Sequence, residues 1–211
     1  MIITLAQVRR ALAQPRPGRM AQARLLPEPR PGDLLPPPPA HPDKEAAVLI
    51  LLYVARGELY FVLTRRTQSV AMHKGQISLP GGAREAGEAL ADTALRETAE
   101  ELHIDARCIE LLGAPLTPLY IPVSQFWVTA FVGHWRGTPQ FTPAPDEVHE
   151  VIETPLALLL DDSTVGAEEW TLRGVRTQVP FFDVYGNKVW GATAMILSEF
   201  KALLVPQAVG T

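Results

Sequence analysis

The chain has 211 residues, 47% hydrophobic and 20% charged, a composition typical of one globular domain with a full core. Its net charge of −4 gives no electrostatic basis for binding nucleic acid, which requires a basic surface. The longest apolar run, Ala46 to Ala55, is too short to cross a bilayer, and the single Cys108 excludes an internal disulfide and favours a reducing compartment. We therefore expect a cytoplasmic protein that binds neither nucleic acid nor membrane.

The first 43 residues are predicted to form a helix followed by an extended proline-rich segment. Apolar residues recur at helical spacing between Ile2 and Ala13, and ten of the chain's twenty prolines lie between Pro15 and Pro42. Five arginines and no acidic residue precede Glu28, as in a transit peptide, but the lack of serine favours a helix packed on the domain edge. The proline-rich segment is interpreted as a stiff connector, with a ligand for a proline-recognition module as the alternative.

The second region, residues 44–211, is predicted to be an α/β domain. The continuous apolar run Ala46 to Tyr53 indicates a strand covered on both faces, and a turn at Gly57 leads into a second strand, Leu59 to Arg65. The further predicted elements are strands at Cys108–Leu112 and Gln125–Val132, a short helix at Leu156–Asp161, a hairpin within Trp170–Val184 and a closing helix at Val189–Leu204. Interleaved strands and helices favour a sandwich around a mixed β-sheet.

Residues 82–104 are predicted to contain a helix that carries carboxylates on one face. Glu97, Glu100 and Glu101 stand at i, i+3 and i+4, which places them together. A mostly apolar stripe on the other side is predicted to be buried; it consists of Ala91, Leu95, Thr98 and Leu102. Like charges on one face repel unless a cation neutralises them, and Mg²⁺ prefers oxygen ligands. The pattern indicates a metal site, with a solvated acidic helix as the alternative.

The stretch before this helix is predicted to be a tight loop next to the metal. Leu79 to Gly82 combines proline and two glycines, which allow backbone to approach a ligand closely, so that the Gly81 carbonyl is a candidate metal ligand and Gly82 a candidate phosphate contact. Arg96 has a planar guanidinium that suits a carboxylate, and Glu88 is its predicted partner, in a structural role.

The spacing of these residues resembles the Nudix box. Gly82, Glu88, Arg96, Glu97, Glu100, Glu101 and Ile104 stand at the positions that the family pattern requires. Thr98 replaces an aliphatic residue, and His103 replaces the glycine at the helix end. We expect Thr98 to stay on the buried stripe and His103 to adopt the left-handed conformation. The resemblance implies the Nudix α/β/α sandwich and a Mg²⁺- or Mn²⁺-dependent hydrolase, with Gly81, Glu97, Glu100 and Glu101 as metal ligands.

A second pattern resembles the signature of coenzyme A pyrophosphatases within that family. It includes Thr64, Arg66, Gly75 and Pro80 to Gly82, although Ala71 replaces an arginine and Leu79 a phenylalanine. Two later stretches also resemble this subgroup: Asp146 to Val148, an acidic segment facing the metal, and Val189 to Ala194, the start of the last helix. The candidate substrate-binding residues are Arg66, His73, Gly75, Gln76 and Gly82.

The resemblance implies hydrolysis of the pyrophosphate of coenzyme A or acyl-CoA, giving 3′,5′-ADP and (acyl-)phosphopantetheine. Glu97, Glu101 and Glu147 are the candidate catalytic residues. Glu147 is the candidate general base, with Glu97, Glu150 and Glu153 as rivals. Alternatives are another substrate, such as ADP-ribose, a dinucleotide or a nucleoside triphosphate, and a Nudix-fold module that binds a nucleotide without cleaving it. The predicted partner is a small nucleotide conjugate; formation of a homodimer is left open.

Overall fold

The computed structural model describes residues 3–29, 44–67 and 76–208. The strands in these ranges are β1 (Glu45–Ala55), β2 (Glu58–Arg66), β3 (Ile77–Ser78), β4 (Gly81–Ala83), β5 (Ile109–Leu111), β6 (Leu119–Ile121), β7 (Phe126–Trp135), β8 (Val148–Pro155), β9 (Val165–Leu172), β10 (Val175–Val184) and β11 (Asn187–Trp190). The α-helices are α1 (Leu5–Leu12), α2 (Arg19–Gln22), α3 (Leu90–Leu102), α4 (Leu156–Leu160) and α5 (Gly191–Ala208). None of the helices in these ranges is long and apolar enough to cross a membrane.

The strands form two sheets. The larger runs in the order β3-β2-β1-β7-β5, with β4 on β1, β6 on β7 and β8 on β2. It is mixed, because β1 and β7 are parallel whereas β1 pairs with β2 and β4 in the antiparallel sense. The smaller sheet has the order β11-β10-β9. Helices cover both faces of the large sheet, which confirms the predicted α/β sandwich with a mixed sheet.

Strand β1 lies at the centre of the protein and is buried on both faces. Ile50 and Leu52 belong to a large core that also contains Phe200 of α5, whereas Leu49 and Leu51 face the smaller core under α3. Side chains alternate across a strand, so a strand covered on both sides needs apolar residues at every position. The continuous apolar run predicted this arrangement correctly.

Helix α1 shares the large core. Thr4 and Gln7 form a reciprocal capping box at its start, and Val8, Ala11 and Leu12 are buried in the cluster that contains α5. After α2, the chain pairs with the smaller sheet, since Glu28 and Gln178 exchange two backbone hydrogen bonds of 3.0 and 2.7 Å. The N-terminal segment therefore contributes directly to the packing of residues 44–208.

Several elements differ from the sequence-based expectation: the short strands β3, β4 and β6 were not predicted, and β9 begins at Val165 instead of Trp170. The last helix begins at Gly191 instead of Val189, because Val189 and Trp190 pair with β10 in strand β11, and Gly191 then turns with a positive φ of 63°. Strand β8 was not predicted. It pairs with β2 and exposes His149, Glu150 and Glu153 at its outward positions, so its polar residues conceal its strand character.

Candidate active site

Two glycines allow the loop before α3 to pack tightly between β1 and the helix. Gly81 has a φ of 145°, and a Cβ atom there would lie 2.3 Å from the carbonyl oxygen of Ala47. A Cβ atom on Gly82 would lie 2.2 Å from Oε2 of Glu97. A larger residue at position 82 would therefore displace the carboxylate of Glu97 from its position.

Arg96 orders the acidic side chains around it. Its Nε and Nη2 donate to the two oxygens of Glu88 at 2.8 and 3.0 Å, as predicted. Its Nη1 donates to Glu97 at 2.9 Å and to Glu100 at 3.2 Å. These bonds to Arg96, with a further one from Thr93, lower the pKa of Glu88 to about 2. One guanidinium thus contacts three carboxylates.

The three glutamates of α3 occupy different environments although they share one helical face. Glu101 is 3% exposed, the side chain of Glu97 is 17% exposed, and that of Glu100 is 62% exposed. Glu101 is buried because α3 turns it toward β4, where the Gly81 amide donates to its Oε2 at 3.4 Å. Thr98 is also buried, and its hydroxyl donates to the Ala94 carbonyl at 2.6 Å. His103 ends the helix at φ 50° and ψ 52°, the expected left-handed conformation.

Burial raises the pKa of the two inner carboxyl groups. For Glu101 burial is the largest cause; Arg66 and the Gly81 amide act against it, while the charges of Glu147 and Glu97 add to it, and the pKa reaches about 8. Burial likewise raises the pKa of Glu97 more than its bond to Arg96 lowers it. Burial thus disfavours the ionised form of both groups, and a bound cation would favour it.

Glu147 lies on a loop that hydrogen bonds hold against the ends of α3 and β2. The Ala144 amide donates to the Glu101 carbonyl at 2.9 Å, and the Thr67 amide donates to the Glu147 carbonyl at 3.0 Å. Besides burial, the charge of Glu147 raises the pKa of both Glu97 and Glu101, so the three carboxyl groups interact. The structure thus brings together candidates that are separated by about fifty positions in the sequence.

The rival bases on β8 are engaged elsewhere. Glu150 forms an ion pair of 2.9 Å with Arg65. Glu153 accepts a hydrogen bond from the hydroxyl of Tyr53, whose pKa is raised by burial and by this bond. Of the carboxylates considered on this segment, Glu147 is the one whose charge acts on the glutamates of α3.

The donor set fits a hard divalent cation. Glu97, Glu100 and Glu101 supply carboxylate oxygens beside the Gly81 backbone, and oxygen is the ligand atom that Mg²⁺ and Mn²⁺ prefer. Within the described ranges, however, no three acidic, histidine or cysteine side chains are gathered as a ready ligand group. In this structure Arg96 forms ion pairs with Glu97 and Glu100.

A cavity of about 610 Å³ opens beside this acidic group. Gly81, Arg66 and Gln76 lie on its wall, and the Arg66 amide donates to the Gln76 carbonyl at 3.1 Å. His73 and Gly75, also candidates for substrate binding, lie outside the described residues. Sequence reasoning did not find the apolar part of the lining, which includes Trp190 and Met195, because these residues resemble ordinary core.

The family model for the NUDIX domain matches residues 43–173, which include the glycine loop, α3 and Glu147. The chain belongs to the Nudix family. It is 35% identical over 162 residues to Nudix hydrolase 15, mitochondrial, from Arabidopsis thaliana, covering 73% of this chain and 56% of that protein. It is 36% identical over 165 residues to the mitochondrial coenzyme A diphosphatase NUDT8 from Homo sapiens, covering 76% of this chain and 70% of the relative.

Solved structures agree on the Nudix fold. A MutT/nudix family protein from Enterococcus faecalis aligns with a TM-score of 0.54 and 15% identity, covering 98% of this chain and 76% of that one. The chain spans little more than half the length of Nudix hydrolase 15 from Arabidopsis thaliana. Leu26, Pro27 and the start of α5 lie outside the residues that the Nudix family model matches, so part of the cavity lining comes from neighbouring segments.

Proposed function

We propose that this protein hydrolyses the pyrophosphate bond of coenzyme A or acyl-CoA, giving 3′,5′-ADP and (acyl-)phosphopantetheine. The observation that carries the proposal is the contact between two parts of the site: Gly81 and Arg66 border the large cavity and also act on the buried Glu101. A pyrophosphate at this junction would meet the arginine, while the rest of the substrate enters the cavity. The NUDT8 relative and the motif of Thr64, Arg66 and Pro80 to Gly82 support the coenzyme A assignment.

The proposed roles follow from the surroundings of each residue. Glu97, Glu100 and Glu101, with the Gly81 carbonyl, hold Mg²⁺ or Mn²⁺, which when bound neutralises phosphoryl oxygens and lowers the pKa of water. Arg66 binds a phosphate oxygen, because a guanidinium suits that geometry. Glu147 accepts a proton from the attacking water. The oxygen of this water forms a bond to phosphorus while the bridging P–O bond breaks. Gln76, Gly82, His73 and Gly75 are proposed to contact the substrate.

The substrate assignment is tested by steady-state rates of the full chain on coenzyme A, ADP-ribose, a dinucleotide and a nucleoside triphosphate. Each rate is measured with Mg²⁺, with Mn²⁺ and with excess chelator. We expect the highest kcat/KM on coenzyme A compounds and no turnover in chelator. A clear preference for ADP-ribose would overturn the assignment and support the alternative Nudix substrate that the Ala71 departure favours. No turnover of any compound would support a binding module.

The proposed base is tested by Glu147→Gln. The amide keeps the shape of the side chain but cannot accept the proton, so kcat is expected to fall by about 10²–10⁴-fold. Glu150→Gln is the matched control, because Glu150 is three residues away and pairs with Arg65. A Glu147→Gln variant with wild-type kcat would assign the base to Glu97 instead.

We also propose a cytoplasmic location, which the single Cys108 supports through its preference for a reducing compartment.

A further inference from the structure

The large cavity is built from segments that are far apart in the sequence. Its aliphatic lining residues include Val48, Val128, Met195 and Ile196. The lining also includes Leu26 and Pro27 of the N-terminal segment, residues 171–173 at the end of β9 and the start of the following turn, and residues 122–124 after β6. Backbone bonds between Glu28 and Gln178 attach the N-terminal segment to β10 beside this lining. Folding of the chain brings these segments together around one cavity.

The charged residues of the lining have one sign, and most of its exposed surface is apolar. Its charged residues are Arg66 and Arg173, and no carboxylate lines it among the described residues. Two of its hydroxyl residues bond within the protein: Thr193 donates to the Ile77 carbonyl at 3.4 Å, and Ser78 contacts Thr64 at 3.3 Å. An adenine ring placed against the aliphatic residues of the lining would lose hydrogen bonds to water without replacing them there.

We propose that this cavity binds the acyl-pantetheine end of the substrate and makes the protein prefer acyl-CoA to free coenzyme A. The inference rests on the proposed function and specifies the substrate class of the same site. With the pyrophosphate at Arg66 and Gly81, the pantetheine arm and its thioester enter the cavity, and the adenosine end points away from it. A volume of about 610 Å³ lies within the usual range for pockets that bury an organic ligand.

A chain-length series on the full-length protein with Mg²⁺ tests this assignment. The substrates are free, acetyl-, butanoyl-, hexanoyl- and octanoyl-CoA. Each methylene that enters the cavity should raise kcat/KM by roughly two- to fourfold until the cavity is full, so octanoyl-CoA should exceed acetyl-CoA by at least about tenfold. Equal kcat/KM values for free and acylated coenzyme A would overturn the inference and leave the proposed function standing. Hydrolysis of ADP-ribose with none of coenzyme A compounds would overturn both.

Filling the cavity provides a second, independent test. Ala192→Phe adds a ring to the wall at the start of α5, and the ratio of kcat/KM for octanoyl-CoA to that for free coenzyme A should fall about tenfold or more. Ala202→Phe is the matched control, because this half-buried alanine lies on the same helix outside the cavity lining and should keep the wild-type ratio. Val123→Trp, on the turn after β6, repeats the test without changing a helix. Wild-type ratios in both cavity variants would overturn the inference.

The opposite orientation, with adenosine in the cavity, predicts a different result. The 3′-phosphate of coenzyme A would then contact Arg173, and Arg173→Ala would reduce hydrolysis of coenzyme A far more than that of dephospho-coenzyme A. We expect the ratio of the two kcat/KM values to stay within about twofold of the wild-type ratio. A tenfold fall in that ratio would place the nucleotide in the cavity and overturn the inference.

Discussion

Glu101→Gln is expected to lower kcat by about 10³-fold while leaving the fold intact. The amide removes one negative oxygen from the proposed metal site, and electrostatic stabilisation by a metal is worth several kcal/mol in a transition state. Glu101 is the most buried of the three glutamates of α3, so bulk water cannot replace its contribution. The measurement is steady-state hydrolysis of coenzyme A at saturating Mg²⁺.

Thermal unfolding provides the control for this variant. At pH 7 in chelator, Glu101→Gln should melt at a higher temperature than the wild type, because burial raises the pKa of Glu101 from 4.5 to about 8, so that folding of the wild type must protonate this carboxyl group or bury its charge. Added Mg²⁺ should raise the melting temperature of the wild type, since a ligand that binds only the folded state stabilises it, and should raise that of the variant less. Wild-type kcat in Glu101→Gln, or an equal response to Mg²⁺, would contradict its assignment as a ligand.

Glu199→Leu is expected to give the largest loss of stability, about 4 kcal/mol. Glu199 of α5 is fully buried and accepts hydrogen bonds from the Gly18 amide at 3.2 Å, from Nε2 of Gln22 at 2.8 Å and from the Thr117 hydroxyl at 2.7 Å. Leucine would leave these donors buried without an acceptor, at about 1–3 kcal/mol each before the structure relaxes. For a chain of this size the melting temperature should fall by on the order of 10 °C.

A graded series makes the prediction specific to the hydrogen bonds. Glu199→Gln keeps one acceptor oxygen and should therefore lower the free energy of unfolding less than Glu199→Leu. It should still be less stable than the wild type, because its new N–H groups face the donors that bonded to Glu199. Glu169→Gln is the surface control: this carboxylate pairs with Arg176 on an exposed strand face, and such pairs contribute about 0–1 kcal/mol. If Glu199→Leu unfolded at the wild-type denaturant midpoint, the carboxylate would not join the N-terminal helices to α5 in solution.

Local patterns predicted the parts of the fold that depend on neighbours in the chain. The apolar run in β1, the pairing of Arg96 with Glu88, the buried Thr98 and the left-handed His103 follow from side-chain spacing and backbone preference. Strand β8 was missed because a register shift opposite Arg65 and Arg66 places two exposed polar residues in succession, His149 and Glu150, and this interrupts the alternation typical of a strand. The start of α5 was placed two residues early because Val189 and Trp190 suit a helix as well as a strand until pairing with β10 is known.

The sequence by itself determined the Nudix family, the acidic helix and the glycine loop, since each is defined by spacing within a short segment. Only the tertiary structure decided that Glu101 is buried while Glu100 is largely exposed, and that Glu147 approaches the site but Glu150 does not. It also decided the cavity, whose walls join residues 26–27 to residues 190–196. The physical reason is that burial and electrostatic environment depend on packing between distant segments, which periodicity along the chain does not encode.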